Sequence, residues 1–446
     1  STSPAFALGR KNNGSTVKQF EGTADAPFIP SIQAAWNMND WSLQFNFSVP
    51  GGGGACEFAD GLGSFESVVG NIATMLSPLG ATGYDMDGYM QGRQYYFGFQ
   101  LGSAYKVNDD LSIYGGFRVL YGTATYKAKI SNIQVKLANN SYVDFGSFLS
   151  SATATVDGGL SQIADGLGQI ADGLSQVNAG MAQMEAAGAT ALPQYAQLAA
   201  QREQLATQQE QLKAQQAQLS DTRGSLDALQ KYSQGVNLLC NQWSVGVAPI
   251  VGIDYRIGKW NLAAKYEFKT QIRMMNESTV NEASEIAAVN KFRDGEKVNE
   301  DQPALLTLGA QWTPADAVRL NVGWHHYFDK DANWYNNAEQ LLDHNSNEFL
   351  AGVEWDINNR LTVSVGGQLT RYGLSDEYMN DMSFVVDSYS IGFGANYKLS
   401  DTVTLKGGYF TTNYENYNRV TSTEPLISDS FTRTNRVLGI GCDINL

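Results

Sequence analysis

Val437-Leu438-Gly439-Ile440-Gly441-Cys442-Asp443-Ile444-Asn445-Leu446 ends the chain and alternates residue by residue. Leu438, Ile440, Cys442, Ile444 and Leu446 are apolar, whereas Gly439, Gly441, Asp443 and Asn445 are small or polar. Successive side chains of a strand point to opposite faces, so the stretch has one greasy face and one small or polar face. Such a strand suits a wall between lipid and a lumen. The same period recurs in Tyr95, Phe97, Phe99, Leu101 and Tyr105 against Gly98, Gln100 and Gly102. It returns in Leu262, Ala264, Tyr266 and Phe268 against Ala263, Lys265, Glu267 and Lys269. The pattern predicts an all-β transmembrane barrel of about 14 antiparallel strands, an even number being the rule for single-chain bacterial barrels.

Composition agrees. Among 446 residues there are 45 Gly, 22 Tyr and 20 Phe but only 10 Pro, and 17% are charged, which suits long aromatic-rich strands. No run of about 18 apolar residues occurs, so a membrane-spanning helix is excluded on length. A mean hydropathy of -0.27 is compatible with a barrel, which needs apolar residues only at alternate positions. The formal charge of -15 argues against a nucleic-acid partner. Residues 1–22 lack a basic segment followed by an apolar run, so the chain reads as a mature or truncated form of an exported protein. Of the three cysteines, Cys56 and Cys240 fall beside loops on one side of the barrel; they could pair in an oxidising compartment or remain small unpaired residues.

Taken in order, residues 1–150 hold the first barrel strands and an outer helical loop, 151–236 a helical insert, and 237–446 the remaining strands. Strands are expected at 28–37, 40–49, 93–107 and from Leu111, then near Asn241, Leu262, Pro303, Val318, Glu348, Leu361, Asp387, Val403 and Arg433. Pro50 and the glycines Gly51 to Gly54 open a long loop in which Phe65, Val68, Val69, Ile72, Met75 and Leu76 have helical spacing behind Ser64 as an N-cap. Turns at 108–110, 256–259, 313–317, 356–360 and 399–402 are short; the connections between them are long and polar. Short periplasmic turns and long outer loops are the pattern of a membrane barrel. The visible strands are odd in number, and with the last strand ending inside the periplasm the first runs inward, so one strand and whatever precedes it are expected to be missing from the start.

Within the insert the period changes. Leu160, Ile163, Leu167, Ile170, Leu174, Val177, Met181 and Met184 alternate gaps of three and four, a heptad seam. Gly159, Gly166, Gly173 and Gly180 recur beside it every seventh residue. Each glycine costs about 1 kcal/mol against alanine in a helix, so the row implies close approach of a second helix. Beyond Pro193, Leu198, Leu205, Leu212, Leu219 and Leu226 mark that helix. The prediction is an antiparallel coiled-coil hairpin with polar outer faces, standing in water outside the cell and offering a seam for protein partners.

With these residues in place the chain resembles the FadL family of outer-membrane transporters for hydrophobic compounds, in a Bacteroidetes-like version. The resemblance rests on Phe28-Ile29-Pro30 opening a strand, Trp41 to Pro50-Gly51 leading into a helical loop, Asn241-Gln242-Trp243 with Gly246, and Pro303 in the next strand. It covers the chain except for the helical insert. It implies a fourteen-stranded monomeric barrel with an N-terminal hatch, moving fatty acids or other apolar molecules passively from a loop groove to a sideways exit at a kinked third strand. Carried over, the groove is Phe58, Leu62, Phe65, Val69, Ile72 and Leu76, and the lateral-exit kink is Pro50, Gly51, Gly52, Gly53 and Gly54. For the six groove residues an ordinary packed loop helix is the alternative. Three departures stand out: no hatch or first strand, Leu446 where many such barrels end in an aromatic, and the hairpin itself.

Other chemistry is sparse. His325 and His326 are adjacent in a strand and face opposite ways, so they cannot chelate one metal. Asp329, Asp331 and Asn333 lack the glycine and closing glutamate of a calcium loop. Arg118, Lys265, Glu267, Lys269 and Arg319 are expected to form ion pairs in the lumen. No nucleophile, base and orienter can be assembled, so no enzyme, cofactor or metal is implied. Two functions remain: passive uptake of hydrophobic molecules across the bacterial outer membrane, in contact with its lipid and lipopolysaccharide, or a non-transporting subunit of an outer-membrane complex for protein assembly or export that docks partners on the hairpin.

Overall fold

Alternation becomes strand along most of the chain, and heptad spacing becomes helix. The computed structural model describes residues 15–280, 287–382, 384–421 and 426–446. Two units are distinguished: residues 1–68, 87–130 and 236–446 form one, and residues 69–86 and 131–235 the other. The boundary at 131 precedes the 151 expected for the insert.

In chain order the first strands are β1 (Thr23–Asp25), β2 (Ile32–Met38), β3 (Trp41–Phe58), β4 (Ala81–Lys106), β5 (Leu111–Leu137) and β6 (Tyr142–Asp144). After the helices come β7 (Val236–Ile257), β8 (Trp260–Glu267), β9 (Arg273–Val280), β10 (Lys297–Asn299), β11 (Leu305–Ala315) and β12 (Val318–Tyr327). The chain closes with β13 (Asn347–Asp356), β14 (Leu361–Arg371), β15 (Ser388–Lys398), β16 (Val403–Tyr414), β17 (Tyr417–Val420), β18 (Ser428–Phe431) and β19 (Thr434–Ile444). An antiparallel ladder runs β2–β3–β4–β5–β7–β8–β11 and on through β12 to β16 to end at β19. Among the described residues no paired register joins β19 to β2, so the ladder is not closed.

The last strand behaves as its alternation requires. Leu438 and Ile440 are 77% and 90% exposed, while Asp443, on the opposite face, pairs with Lys406 of β16. Along the ladder, one face carries exposed Trp41, Trp260, Trp312, Val322, Phe349, Val365, Ile391 and Phe393. The inner face carries glycines and polar groups. Several strands outrun their expected ends: β3 continues through the glycine run, and β4 and β5 reach to 81 and 137 where loops were expected. Backbone pairing with a neighbouring strand overrides the weak propensity of Gly and Ser there.

The second unit holds two long helices, α2 (Phe145–Ala186) and α3 (Pro193–Gln230). Asp144 caps the first, accepting from the Ser147 amide at 2.9 Å. Pro193 starts the second, its missing N–H costing nothing at a helix N-terminus. The glycine row has a direct structural reason. A Cβ added at Gly159, Gly166, Gly173 or Gly180 would lie 3.1, 3.2, 3.3 or 3.4 Å from a methyl of Leu219, Leu212, Leu205 or Leu198, respectively. Each heptad glycine of one helix thus receives a heptad leucine of the other, in antiparallel register. Ile170 and Val177 are buried, while Leu160, Ile163, Leu167 and Leu174 are half-buried.

Candidate functional site around the bulged strand

Within the first unit β3 departs from regular pairing where proline and glycine cluster. Ser48 opposes Gly98, Gly51 opposes Tyr96 and Gly54 opposes Gln94. Three residues of β3 therefore span two of β4, twice in succession, which is two β-bulges. Gly52 and Gly54 have φ of 96° and 76°, and a Cβ at Gly52 would stand 2.3 Å from the Gln94 carbonyl oxygen, so only glycine fits. On the other edge of β3, pairing with β2 stops at Phe47 and resumes only where Ala55 to Glu57 meet β1. Residues 48–54 lack a strand partner on that side. Pro50 through Gly54, assigned to a lateral-exit kink by resemblance, occupy these bulges; the run lies inside the strand and does not begin a loop.

The segment before β2 packs against the same region. Lys18 forms an ion pair with Glu66. A Cβ at Gly22 would enter the Phe58 ring, and one at Gly54 would lie 2.5 Å from the Asp25 carbonyl oxygen. Glu66 belongs to α1 (Gly63–Met75), which begins before Ser64. Ser64 is therefore not its N-cap: its amide donates to the Asp381 carboxylate at 2.7 Å, from a loop remote in sequence. Burial raises the Asp381 pKa, and the hydrogen bonds from Ser64 oppose that shift.

Of the groove residues, Leu62 is buried in a cluster with Met90, Leu238, Cys240, Val289 and Phe292, and Phe58 and Phe65 pack against it. In the other unit Val69 and Leu76 are buried and Ile72 is half-buried. The three cysteines are free. Of the two readings of Cys56 and Cys240, the structure has the unpaired one: β4 and β5 lie between β3 and β7, and three strand spacings put the two residues roughly 14 Å apart, twice the Cα separation a disulfide allows. Cys240 instead fills the apolar cluster.

The expected ion pairs form on the inner face. Arg118 and Lys265 each reach Glu267 at 2.6 Å, and Arg319 grips Asp356 through two bonds of 2.8 Å. His325 meets Glu348 and His326 meets Asn347, each at 2.9 Å, on opposite faces. Across β12 to β15 the inner face is stripped of side chains: Gly352, Gly366 and Gly392 sit on one rung. They line a cavity of about 480 Å³ that also meets Gln368, Ser390 and Phe410.

Sequence reasoning missed a hairpin inside the 275–302 loop. Segment 268–272 leaves the ladder and pairs with 300–302; Thr270 and Gln302 exchange backbone bonds of 3.0 Å. A Cβ at Gly51 would meet the Gln302 side-chain oxygen at 3.5 Å, so this hairpin reaches the bulge. Gly246 and Pro249 within β7 were the available signal.

No family model matches the chain, and no curated protein matches it. Solved structures do. The crystal structure of a Pseudomonas aeruginosa FadL homologue superposes with a TM-score of 0.54 over 93% of this chain and 78% of its own, at 10% identity. The Pseudomonas putida toluene transporter TodX gives 0.50 over 94% and 82%, at 12% identity. At such identities the likeness speaks to architecture, and it joins the bulged third strand and the glycine-lined inner face in one frame: the chain has the barrel fold of the FadL-type outer-membrane transporters.

Proposed function

We propose that the chain is an outer-membrane barrel for passive uptake of hydrophobic molecules such as long-chain fatty acids, by loop capture and lateral release. The observation that carries this reading is the outward face. Beside the short turns Trp41 packs at a tilt against Tyr105 and Trp260 stacks on Trp312, with ring centroids 4.7 and 5.7 Å apart. Exposed Phe349 and Tyr389 stand near the opposite ends of their strands. Between Trp355 and Phe349 the strand rises roughly 20 Å, and the outward side chains in between are apolar. An apolar band between aromatic girdles is what a lipid bilayer selects. The short turns then face the periplasm, and the α2–α3 hairpin stands extracellularly, above lipopolysaccharide.

Phe58, Leu62, Phe65, Val69, Ile72 and Leu76 form the capture groove once the packed cluster parts to admit a solute. Release runs through Pro50 to Gly54, where β3 lacks a neighbour and unpaired backbone would otherwise be costly in lipid. No nucleic acid is involved.

The Gly–Leu seam supports a second reading. Two helices of 42 and 38 residues are a large device for a solute channel to carry, and their polar outer faces suit a docking arm in an outer-membrane complex. The test is a gentle-detergent pull-down of the full chain, with and without residues 160–229 replaced by a short linker, reading co-purifying proteins and bound lipid. A solitary protein carrying apolar ligand in both forms supports uptake. Partners that vanish with the hairpin, and no bound ligand, support the complex subunit.

A further inference from the structure

The wall has a second break, three strands along from the β3 bulges. β7 pairs with β8 from Ile250 to Ile257 and with β9 from Leu238 to Trp243. Between them Ser244 to Pro249 have no register partner on that edge, although β7 stays fully paired with β5 on the other. The strand that should cover them turns inward. Phe268 keeps one bond to the Pro249 carbonyl at 3.1 Å, and Arg273 donates to the Ser244 hydroxyl at 3.1 Å in place of a ladder bond. In between, 269–272 crosses the inner face of Gly246, where a Cβ would sit 2.6 Å from both the Gln271 carbonyl oxygen and the Thr270 methyl. Glycine here is what lets the segment seat. Pro249 has no N–H to offer a neighbour, so β7 itself is adapted to the break.

The surroundings indicate what could pass. Outside the gap Val245 and Val247 are 55% and 56% exposed. Inside it Ile250, Ile272 and Met274 are wholly buried, and Thr270, 1% exposed, keeps a hydroxyl with no partner among the described residues. The charges at its lower edge are committed: Glu267 to Arg118 and Lys265, and Lys269 to Asp301 and the Asp331 carbonyl. A carboxylate would have to displace one of these pairs, whereas an uncharged apolar molecule would not. The backbone of the inward segment is held by one neighbour, 300–302, and keeps only the Phe268 to Pro249 bond to the wall.

We propose that the gap at Ser244 to Pro249 is a second lateral port, gated by residues 268–272, that passes small uncharged apolar molecules between the lumen and the outer leaflet. The port deepens the uptake reading and rests on it. With the gate seated the wall is sealed from inside; with the gate lifted from Gly246 a slot one to two strand spacings wide, about 5 to 10 Å, opens between Val247 and Phe268. That width admits one aromatic ring or one alkyl chain.

The test uses cells expressing the full chain, with N-phenyl-1-naphthylamine as the uncharged probe and labelled oleate as the anionic one. Deleting Pro50 and Gly52 removes the surplus residue from each β3 bulge. The port is covered by Val247→Trp at an exposed position, and independently the gate is unseated by Gly246→Val, whose side chain would clash with the Gln271 carbonyl and the Thr270 methyl. Heat-modifiable gel mobility confirms folding. With the bulges removed, at least a third of the naphthylamine entry rate is expected to persist while oleate entry is lost. Adding Val247→Trp should then cut naphthylamine entry at least fivefold, whereas adding Gly246→Val should raise it at least twofold. Loss of both probes on bulge removal, or indifference to both substitutions, overturns the port and leaves uptake through β3 standing. No entry through the unaltered chain overturns uptake and the port together.

Discussion

From β11 to β16 each strand is paired along nearly its whole length with both neighbours, and outward residues in mid-strand, such as Val322, Val353, Val365 and Phe393, are apolar. The stretch from β3 to β7 is built from longer strands and is interrupted on both edges, at 48–54 of β3 and 244–249 of β7. The difference lies in a few residues: Pro50, Gly52, Gly54, Gly246 and Pro249 each remove a donor or a Cβ at the spot where pairing fails. One region is wall; in the other, wall is given up at defined points.

The largest expected effect separates the two regions directly. Val365→Arg, on the outward face in mid-strand of β14, should cost about 2–4 kcal/mol, whereas Val245→Arg beside the break, at the rim, should cost about 0–1 kcal/mol. Urea titration of the folded, gel-mobile fraction reads both, and equal costs would mean that the two regions do not differ in lipid exposure.

Next is the bulge. Gly54 has a left-handed φ, and forcing a side chain there costs roughly 1–2 kcal/mol; Gly54→Val must also push away Asp25. Faster proteolytic cleavage within residues 15–31 is expected, and unchanged cleavage would show that β1 does not depend on the bulge.

The helical hairpin offers a matched pair. Gly168 has nothing within 4 Å of a built Cβ, so Gly168→Ala should gain about 1 kcal/mol of helix stability. Gly166→Leu must displace Leu212 and should lower the helical melting transition seen by circular dichroism. If both substitutions stabilise, the glycine row is not a packing device.

The smallest effect concerns Asp381. Its folded pKa is raised by burial, so its contribution to stability is fullest below the ordinary carboxylate range and declines as pH rises through the folded value. Stability read by urea titration should fall as pH rises from about 4 in the native chain and change less in Asp381→Asn.

Much of this was legible in the sequence. The two-residue period marked the wall strands, and the glycine row, too costly for a helix without a reason, implied the partner leucines that it meets. What stayed hidden depends on distant pairing. Gly51 to Gly54 read as a loop because glycine signals both loop and bulge, and only the register with β4 tells them apart. The Asp381 cap on α1 joins residues 317 apart in sequence, which no local spacing encodes. The inward turn at 268–272 shows in sequence only as Gly246 and Pro249, on a different strand. Of the six groove residues, the burial of Leu62 is set by Met90, Leu238 and Phe292 on other elements, which helical spacing does not encode.

Entry of labelled oleate into cells carrying the full chain, against cells carrying the form without Pro50 and Gly52, tests the central claim most directly. The account predicts entry well above the host background for the full chain and loss of most of that excess when the bulges are straightened. Entry at background level for a folded, membrane-inserted full chain would contradict it and leave the docking-arm reading of the hairpin in its place.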